Sequence, residues 1–165
     1  MVIWITGLSA SGKTTLAKAI CKNFTKKKFI LIDGDLIRNL FNDLGFEEKD
    51  RFKQITRMQN IAFFLAKQNF NVVVAALFSH PKLLSRNRKL FKKYFEIYLK
   101  ADIEFLAKRE IKNIYSRAFK KKITNVVGID IKWNEPKNPH LIFDQTKKLS
   151  INQMIKTLKK NIKID

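Results

Sequence analysis

The fold is decided by the stretch Gly7-Leu8-Ser9-Ala10-Ser11-Gly12-Lys13-Thr14, in which four residues separate a glycine from a Gly-Lys-Thr triplet. This is the spacing of a phosphate-binding loop, or P-loop. Gly7 and Gly12 permit the tight turn that points backbone amides at a phosphate chain, while Lys13 reaches the β- and γ-phosphate oxygens. The Thr14 hydroxyl can ligate Mg²⁺ at the start of the following helix. The stretch therefore predicts a site for a nucleoside triphosphate and Mg²⁺, and the rest of the chain must decide between ATP and GTP.

Apolar runs of strand length alternate with segments of helical spacing along the whole chain. The runs are Val2–Ile5, Phe29–Ile32, Val72–Leu77, Phe95–Leu99 and Leu141–Phe143. The P-loop follows the first run and opens a segment of helical periodicity over Lys13–Phe24. This alternation predicts an α/β fold of the P-loop NTPase or kinase type, with a parallel sheet of about five strands flanked by helices.

The length of 165 residues and the apolar content of 45% suit one well-packed core. We therefore expect a single P-loop kinase domain over residues 1–165. Residues 111–138 combine basic clusters with Gly128 and Pro136. That composition is more typical of a basic lid segment than of a core element.

The formal charge of +20 is the most unusual global property of the sequence. The lysines lie in short separate runs, and neither a zinc-finger spacing nor an aromatic RNA-binding signature accompanies them. This distribution favours a solvated basic surface, with attraction of anions as a secondary effect, so we do not expect a nucleic-acid partner. A nucleic-acid-stimulated ATPase is the alternative that the charge motivates.

Hydropathy argues against a membrane partner. No stretch approaches the roughly 18 to 20 apolar residues that a membrane span needs. The N-terminal residues 1–7 run straight into the P-loop in place of a signal peptide. We therefore expect a cytoplasmic protein.

A second acidic turn follows the second predicted strand. Asp33-Gly34-Asp35 lies at the carboxyl end of Phe29–Ile32, and in a parallel sheet that end faces the same crevice as the P-loop. One carboxylate there can accept a proton from an acceptor hydroxyl. The alternative is that both aspartates only cap the helix that starts at Leu36. Because the sequence lacks an Asn-Lys-x-Asp guanine signature and is short for a motor domain, we favour a kinase.

Further motifs extend the pattern over nearly the whole chain. They are Trp4-Ile5-Thr6-Gly7-Leu8-Ser9, Ser11-Gly12-Lys13-Thr14-Thr15, Asp33-Gly34-Asp35, Ile37-Arg38, Asp43-Leu44-Gly45-Phe46, Asp50-Arg51, Arg57, Lys112, Tyr115 and Gly128-Ile129-Asp130. In their order and approximate spacing the chain resembles the adenylylsulfate kinases. The resemblance implies phosphoryl transfer from ATP to the ribose 3′-hydroxyl of a small nucleotide linked to an anion, and it implies a homodimer.

The resemblance also implies individual roles. Asp35, supported by Asp33, would lie nearest the acceptor hydroxyl, and Lys13 would complete the catalytic set. The expected substrate-binding residues are Arg38, Arg51 and Lys112 as anion clamps, Phe46 as a base-stacking wall, and Ser79. The expected ATP-binding residues are Gly7, Leu8, Ser9, Ala10, Ser11, Gly12, Lys13, Thr14, Thr15 and Arg109, with Thr14 as the Mg²⁺ ligand. Arg109 and Arg117 would act as lid cations.

The chain departs from the family at positions where the family binds the acceptor. Leu36 replaces an asparagine after the acidic turn, and Gln54-Ile55-Thr56-Arg57 replaces Asn-Ile-Arg-Arg. Val126 stands where the family has one of two phenylalanines that sandwich the substrate base. Stacking of a base on an aromatic ring is worth about 1 to 3 kcal/mol, which valine does not supply.

These departures leave the acceptor open between two nucleotides. One is adenylylsulfate, and the other is cytidine diphosphoramidate, which related enzymes of capsule biosynthesis phosphorylate. A nucleotide-binding module without catalysis is a further alternative, motivated by the same altered motifs.

Overall fold

Five parallel strands form one sheet in the computed structural model, which describes residues 1–109 and 113–162. The strands are β1 Val2–Thr6, β2 Phe29–Asp33, β3 Asn71–Ala76, β4 Tyr94–Lys100 and β5 Leu141–Asp144. Their order in the sheet is β2-β3-β1-β4-β5, and every pairing is parallel. The predicted α/β fold is confirmed.

Helices connect the strands and cover both faces of the sheet. They are α1 Lys13–Asn23, α2 Gly34–Leu40, α3 Glu48–Lys67, α4 Pro81–Leu90, α5 Ile103–Ala107, α6 Ile114–Phe119 and α7 Ile151–Asn161, with a 3₁₀ turn over Gln145–Lys147. Within residues 1–109 and 113–162, none of them has the length and apolar character to cross a membrane.

The alternation of side chains along β1 divides the core into two layers. Val2 and Trp4 point to the face covered by α3 and α4, whereas Ile3 and Ile5 point to the face covered by α1 and α7. All four side chains are at most 1% exposed. Burial of β1 on both faces fixes the strand that carries the P-loop in the middle of the molecule.

The register of the sheet brings the ends of β1 and β2 to the same level. Thr6 pairs with Ala76 of β3, and Asp33 pairs with Ala75. The P-loop and the acidic turn therefore leave the same edge of the sheet, separated by the width of one strand.

The described part of the predicted lid contributes to the core. Tyr115 of α6, together with Val126, Val127 and Ile131, is buried in the same cluster as Trp4. A tight turn brings Val127 and Ile131 into a bridge. The assignment of residues 111–138 as a lid stays a prediction, and its first two residues lie outside the described part of the chain.

Candidate active site

The P-loop between β1 and α1 has the backbone that its glycines predict. Gly12 adopts the left-handed conformation, with φ of 93°, and its carbonyl accepts the first hydrogen bond of α1 from Leu16. A Cβ atom on Gly7 would lie 2.7 Å from the Leu99 carbonyl oxygen, so a larger residue does not fit there. Because the residue that caps α1 is a glycine, it has no side chain to satisfy the helix N-terminal amides, which suits binding of a phosphate.

Lys13 folds back over this loop. Its Nζ donates a hydrogen bond of 2.7 Å to the Leu8 carbonyl oxygen. Burial lowers the pKa of Lys13 to about 8, although the nearby Asp33 and Asp35 carboxylates act in the opposite direction. Both acidic residues of the turn thus lie close enough to Lys13 to influence its charge.

Asp33 joins the acidic turn to the P-loop. Its Oδ2 accepts a hydrogen bond of 2.6 Å from the Thr14 hydroxyl, and its Oδ1 accepts one of 3.0 Å from the Asp35 amide at the start of α2. The capping alternative is therefore correct for Asp33, which is 7% exposed, but the same carboxylate also contacts the P-loop. Asp35 occupies the first turn of α2 and is exposed at the crevice.

The oxygen donors of this crevice fit Mg²⁺. Thr14 supplies a hydroxyl and Asp33 a carboxylate, 2.6 Å apart. Mg²⁺ in phosphoryl-transfer sites takes one or two protein carboxylates together with phosphate oxygens, and does not need an all-protein cage. Over the residues that the structure describes, no group of three or more His, Cys, Asp or Glu side chains could hold a metal by itself. Thr14 and Asp33 would therefore hold the ion together with a nucleotide.

Arg38, Phe46 and Arg51 come together on the other side of the acidic turn. The guanidinium carbons of Arg38 and Arg51 lie 4.6 and 5.8 Å from the centroid of the Phe46 ring, which is 51% exposed. Three of the residues predicted to bind the acceptor thus lie together around the Phe46 ring.

Arg51 is more buried than an anion clamp at the surface would be. It is 6% exposed, and it donates hydrogen bonds to the Phe46 and Asn125 carbonyl oxygens at 2.9 and 2.6 Å. Burial and the neighbouring Arg38 charge lower its pKa to about 10, so it stays charged at neutral pH. Arg51 therefore also ties the segment before Val126 to the Phe46 wall.

The remaining predicted residues differ in their placement. Ser79 follows β3 and is 1% exposed, and its buried Oγ has no hydrogen-bond partner among the described residues. Arg109 is exposed at the end of α5 with its guanidinium over the Phe105 ring, and Arg117 is exposed on α6. Lys112 lies outside the described residues.

A cavity of about 720 Å³ opens beside the P-loop. Leu8, Asp102, Gly128, Trp133 and Glu135 contribute to its lining. Its volume is within the usual range for small-molecule sites.

Two contacts of the site were not predicted. The Tyr115 hydroxyl donates a hydrogen bond of 3.3 Å to the Ser9 carbonyl oxygen, so α6 contacts the P-loop directly. Gln54 is buried at 4% exposure, and its Nε2 donates to the Gly34 carbonyl oxygen at 3.0 Å. Tyr115 and Gln54 both belong to motifs of the sequence, but neither motif shows which backbone atom the side chain contacts.

A P-loop at the centre of a parallel sheet, next to a carboxylate turn and a basic aromatic wall, defines a P-loop phosphotransferase. The family described as adenylylsulphate kinase matches residues 1–144. The chain therefore belongs to the adenylylsulphate kinase family, and it is a kinase.

Individual relatives agree with this family. The cytidine diphosphoramidate kinase of Campylobacter jejuni is 34% identical over 137 residues, which cover 82% of this chain and 81% of the relative. The adenylyl-sulfate kinase of Bacillus velezensis is 35% identical over 151 residues, with coverages of 88% and 77%. The APS kinase of Mycobacterium tuberculosis, solved in complex with AMPPNP and APS, superimposes with a TM-score of 0.88 at 28% identity, covering 97% of this chain and 95% of that one.

The pKa of Lys13 predicts that ATP affinity falls as the pH rises through about 8. In the free protein the ammonium group loses its proton in this range, whereas a bound triphosphate requires the charge. We expect Kd for ATP to rise roughly eightfold between pH 7.5 and 9, with proton uptake on binding. Calorimetry in two buffers of different ionisation enthalpy measures both quantities.

The control is Lys13→Arg, whose guanidinium keeps its charge over this interval. Its Kd for ATP, whatever its absolute value, should not change between pH 7.5 and 9. A wild-type affinity that is equally independent of pH, without proton uptake, contradicts the prediction.

Proposed function

We propose that the protein transfers the γ-phosphoryl group of Mg·ATP to the ribose 3′-hydroxyl of a small nucleotide-linked anion. The observation that carries this proposal is the double contact of Asp33 with Thr14 and with the Asp35 amide. This contact supports a triphosphate site and an acceptor carboxylate in the same crevice. The similarity to a solved kinase in complex with AMPPNP and APS supports the same pairing of ligands.

The chemistry is an in-line displacement. The acceptor hydroxyl oxygen forms a bond to the γ-phosphorus, the bond from that phosphorus to the β–γ bridging oxygen breaks, and ADP leaves. Asp35 orients the hydroxyl and takes its proton. Lys13 and the lid cations, such as Arg109 and Arg117, balance the charge that develops on the phosphoryl oxygens. Mg²⁺, held by Thr14 and Asp33, adds further positive charge when it is bound.

The first candidate acceptor is adenylylsulfate. Arg38 and Arg51 provide positive charge for the anionic group, and Phe46 provides an exposed ring for the base. Ser79 adds a buried hydroxyl without a protein partner among the described residues. Adenylyl-sulfate kinases are frequent among the similar proteins, which supports this acceptor.

Cytidine diphosphoramidate is the second candidate, and Val126 is the observation that favours it. Arg51 donates to the carbonyl oxygens of both Phe46 and Asn125, so the chain just before Val126 lies near Phe46, and position 126 carries an aliphatic, largely buried side chain in place of a ring. A smaller pyrimidine loses less stacking energy than a purine when one ring of the clamp is missing. The similar cytidine diphosphoramidate kinase supports this alternative.

Other expectations from the sequence stay predictions. They are the single domain over residues 1–165 with its lid at 111–138, the homodimer and the cytoplasmic location. The nucleic-acid-stimulated ATPase and the binding module without catalysis are outcomes of the same assay that identifies the acceptor.

The proposed function is tested by coupled ADP release with adenylylsulfate, cytidine diphosphoramidate, RNA or no acceptor. We expect release to require one of the two nucleotides, with the new phosphate on the ribose 3′-oxygen of the product. Stimulation by RNA, or ATP binding without transfer to either nucleotide, would mean that the proposal is wrong.

We predict that Asp35→Asn lowers kcat by about 100-fold or more while KM for ATP changes less than twofold. The amide cannot accept the hydroxyl proton, and general-base catalysis typically contributes at least that factor. Steady-state kinetics with the accepted nucleotide measures both parameters. The control is Glu48→Gln, which, like Asp35→Asn, replaces a carboxylate by an amide, but at an exposed residue of α3. Near-normal turnover of Asp35→Asn would remove the proton-acceptor role.

We predict that Phe46→Ala raises KM for the acceptor by about 5- to 150-fold, which corresponds to the stacking of one base on a ring. KM for ATP should stay within twofold of the wild-type value, because the ring lies on the acceptor side of the acidic turn. Phe46→Tyr keeps the ring and should retain most of the acceptor affinity. An unchanged acceptor KM in Phe46→Ala would exclude Phe46 as the base wall.

A further inference from the structure

Asp43 lies between two guanidinium groups, and one of them, that of Arg38, packs over the Phe46 ring. Its Oδ2 is 3.1 Å from Nη1 of Arg57, and its Oδ1 is 3.8 Å from Nη1 of Arg38. The three side chains are only 10%, 17% and 12% exposed, respectively. Ion pairs shielded to this extent are less screened by solvent and salt than pairs on an open surface.

The first arm of this network reaches the Phe46 wall. Asp43 Oδ1 accepts a hydrogen bond of 3.2 Å from the Gly45 amide, while Nη1 of Arg38 donates to the Gly45 carbonyl oxygen. A Cβ atom on Gly45 would lie 2.3 Å from Oδ2 of Asp50, so the close turn needs glycine. Arg38 is thereby held 4.6 Å above the centroid of the ring that follows the turn.

The second arm reaches the acidic turn. Nη1 of Arg57 also donates to Oε1 of Gln54 at 2.9 Å, and Nε2 of Gln54 donates to the Gly34 carbonyl oxygen at 3.0 Å. Gly34 lies between the two aspartates of the proposed catalytic turn. A continuous set of polar contacts therefore runs from that turn through Asp43 to Arg38, which lies over the Phe46 ring.

The sign of the charges decides what Asp43 can do. A carboxylate repels an anionic acceptor, so Asp43 does not serve as a direct ligand for it. Two guanidinium groups with one carboxylate keep a net positive charge, which attracts the acceptor, while the carboxylate offsets the repulsion between the two cations. A neutral residue at this position would leave Arg38 and Arg57 close together without a counter-charge.

We propose that Asp43 is a positioning residue that fixes the Arg38 guanidinium against Phe46 for the anionic group of the acceptor. This inference rests on the proposed function, since it concerns the same acceptor. Asp43 acts through Arg38, and its second contact, through Arg57 and Gln54, couples the clamp to the turn that carries Asp35.

The test is a double-mutant cycle of Asp43→Asn and Arg38→Gln, assayed with both adenylylsulfate and cytidine diphosphoramidate. Asparagine keeps the shape of the side chain and an oxygen for the Gly45 amide, but it removes the charge. We expect Asp43→Asn to raise the acceptor KM about tenfold, as for loss of a partly shielded ion pair, with kcat and the ATP KM within twofold. In the Arg38→Gln background the same change should alter the acceptor KM less than twofold.

If Asp43 only stabilises the fold and does not position Arg38, the kinetic results differ. In that case the effects of the two substitutions add, or Asp43→Asn lowers the melting temperature and weakens ATP and acceptor alike. Either result overturns the inference even if the wild-type protein phosphorylates its acceptor normally. Glu48→Gln controls for the loss of one negative charge on the neighbouring helix and should behave as wild type.

Arginine side-chain NMR tests the positioning without any acceptor. We expect the Arg38 guanidinium to show restricted rotation in the wild type and in Glu48→Gln, and free rotation in Asp43→Asn. Unchanged Arg38 signals in Asp43→Asn would overturn the inference. If neither nucleotide is phosphorylated, the proposed function fails, and these signals still decide whether Asp43 holds Arg38.

Discussion

The geometry of the site depends on one buried carboxylate that serves two elements. Asp33 accepts from the Thr14 hydroxyl with one oxygen and from the Asp35 amide with the other. β3 separates the strands that carry the two groups, so the sheet alone does not join them. Because a buried carboxylate that loses a donor pays a desolvation penalty, the contact resists separation of the P-loop from the acidic turn.

The sequence predicted those parts of the molecule that are determined by residues close together in the chain. The P-loop, the alternation of strands and helices, and the position of the acidic turn follow from glycine spacing and from apolar periodicity within short segments. The choice between capping and catalysis at Asp33-Gly34-Asp35 stayed open, because both readings use the same residues. In the structure Asp33 caps α2 and contacts Thr14, which a local pattern does not distinguish.

The contacts that were not predicted join residues far apart in the sequence. Tyr115 and Ser9 meet across 106 positions, and Arg51 and Asn125 across 74. Gln54 lies one helical turn before Met58 on the buried face of α3, but the helical period does not show that its Nε2 donates to the Gly34 carbonyl oxygen. Such partners depend on how whole elements pack, and no periodic or spacing rule encodes them.

The two halves of the site recognise their ligands by different means. The P-loop half depends largely on backbone amides and a glycine conformation, which many surrounding sequences preserve. The proposed acceptor half depends on side chains, and position 126 carries a valine, which cannot stack on a base as an aromatic ring does. In the proposed function, cationic clamps attract any small anion, whereas Phe46 stacks on the base. A change of acceptor within this family therefore requires changes at the wall and its supports, with the phosphate site left intact. On this proposal, a chain can be about equally similar to two kinases with differently named acceptors, because only the few side chains of the acceptor site need to differ.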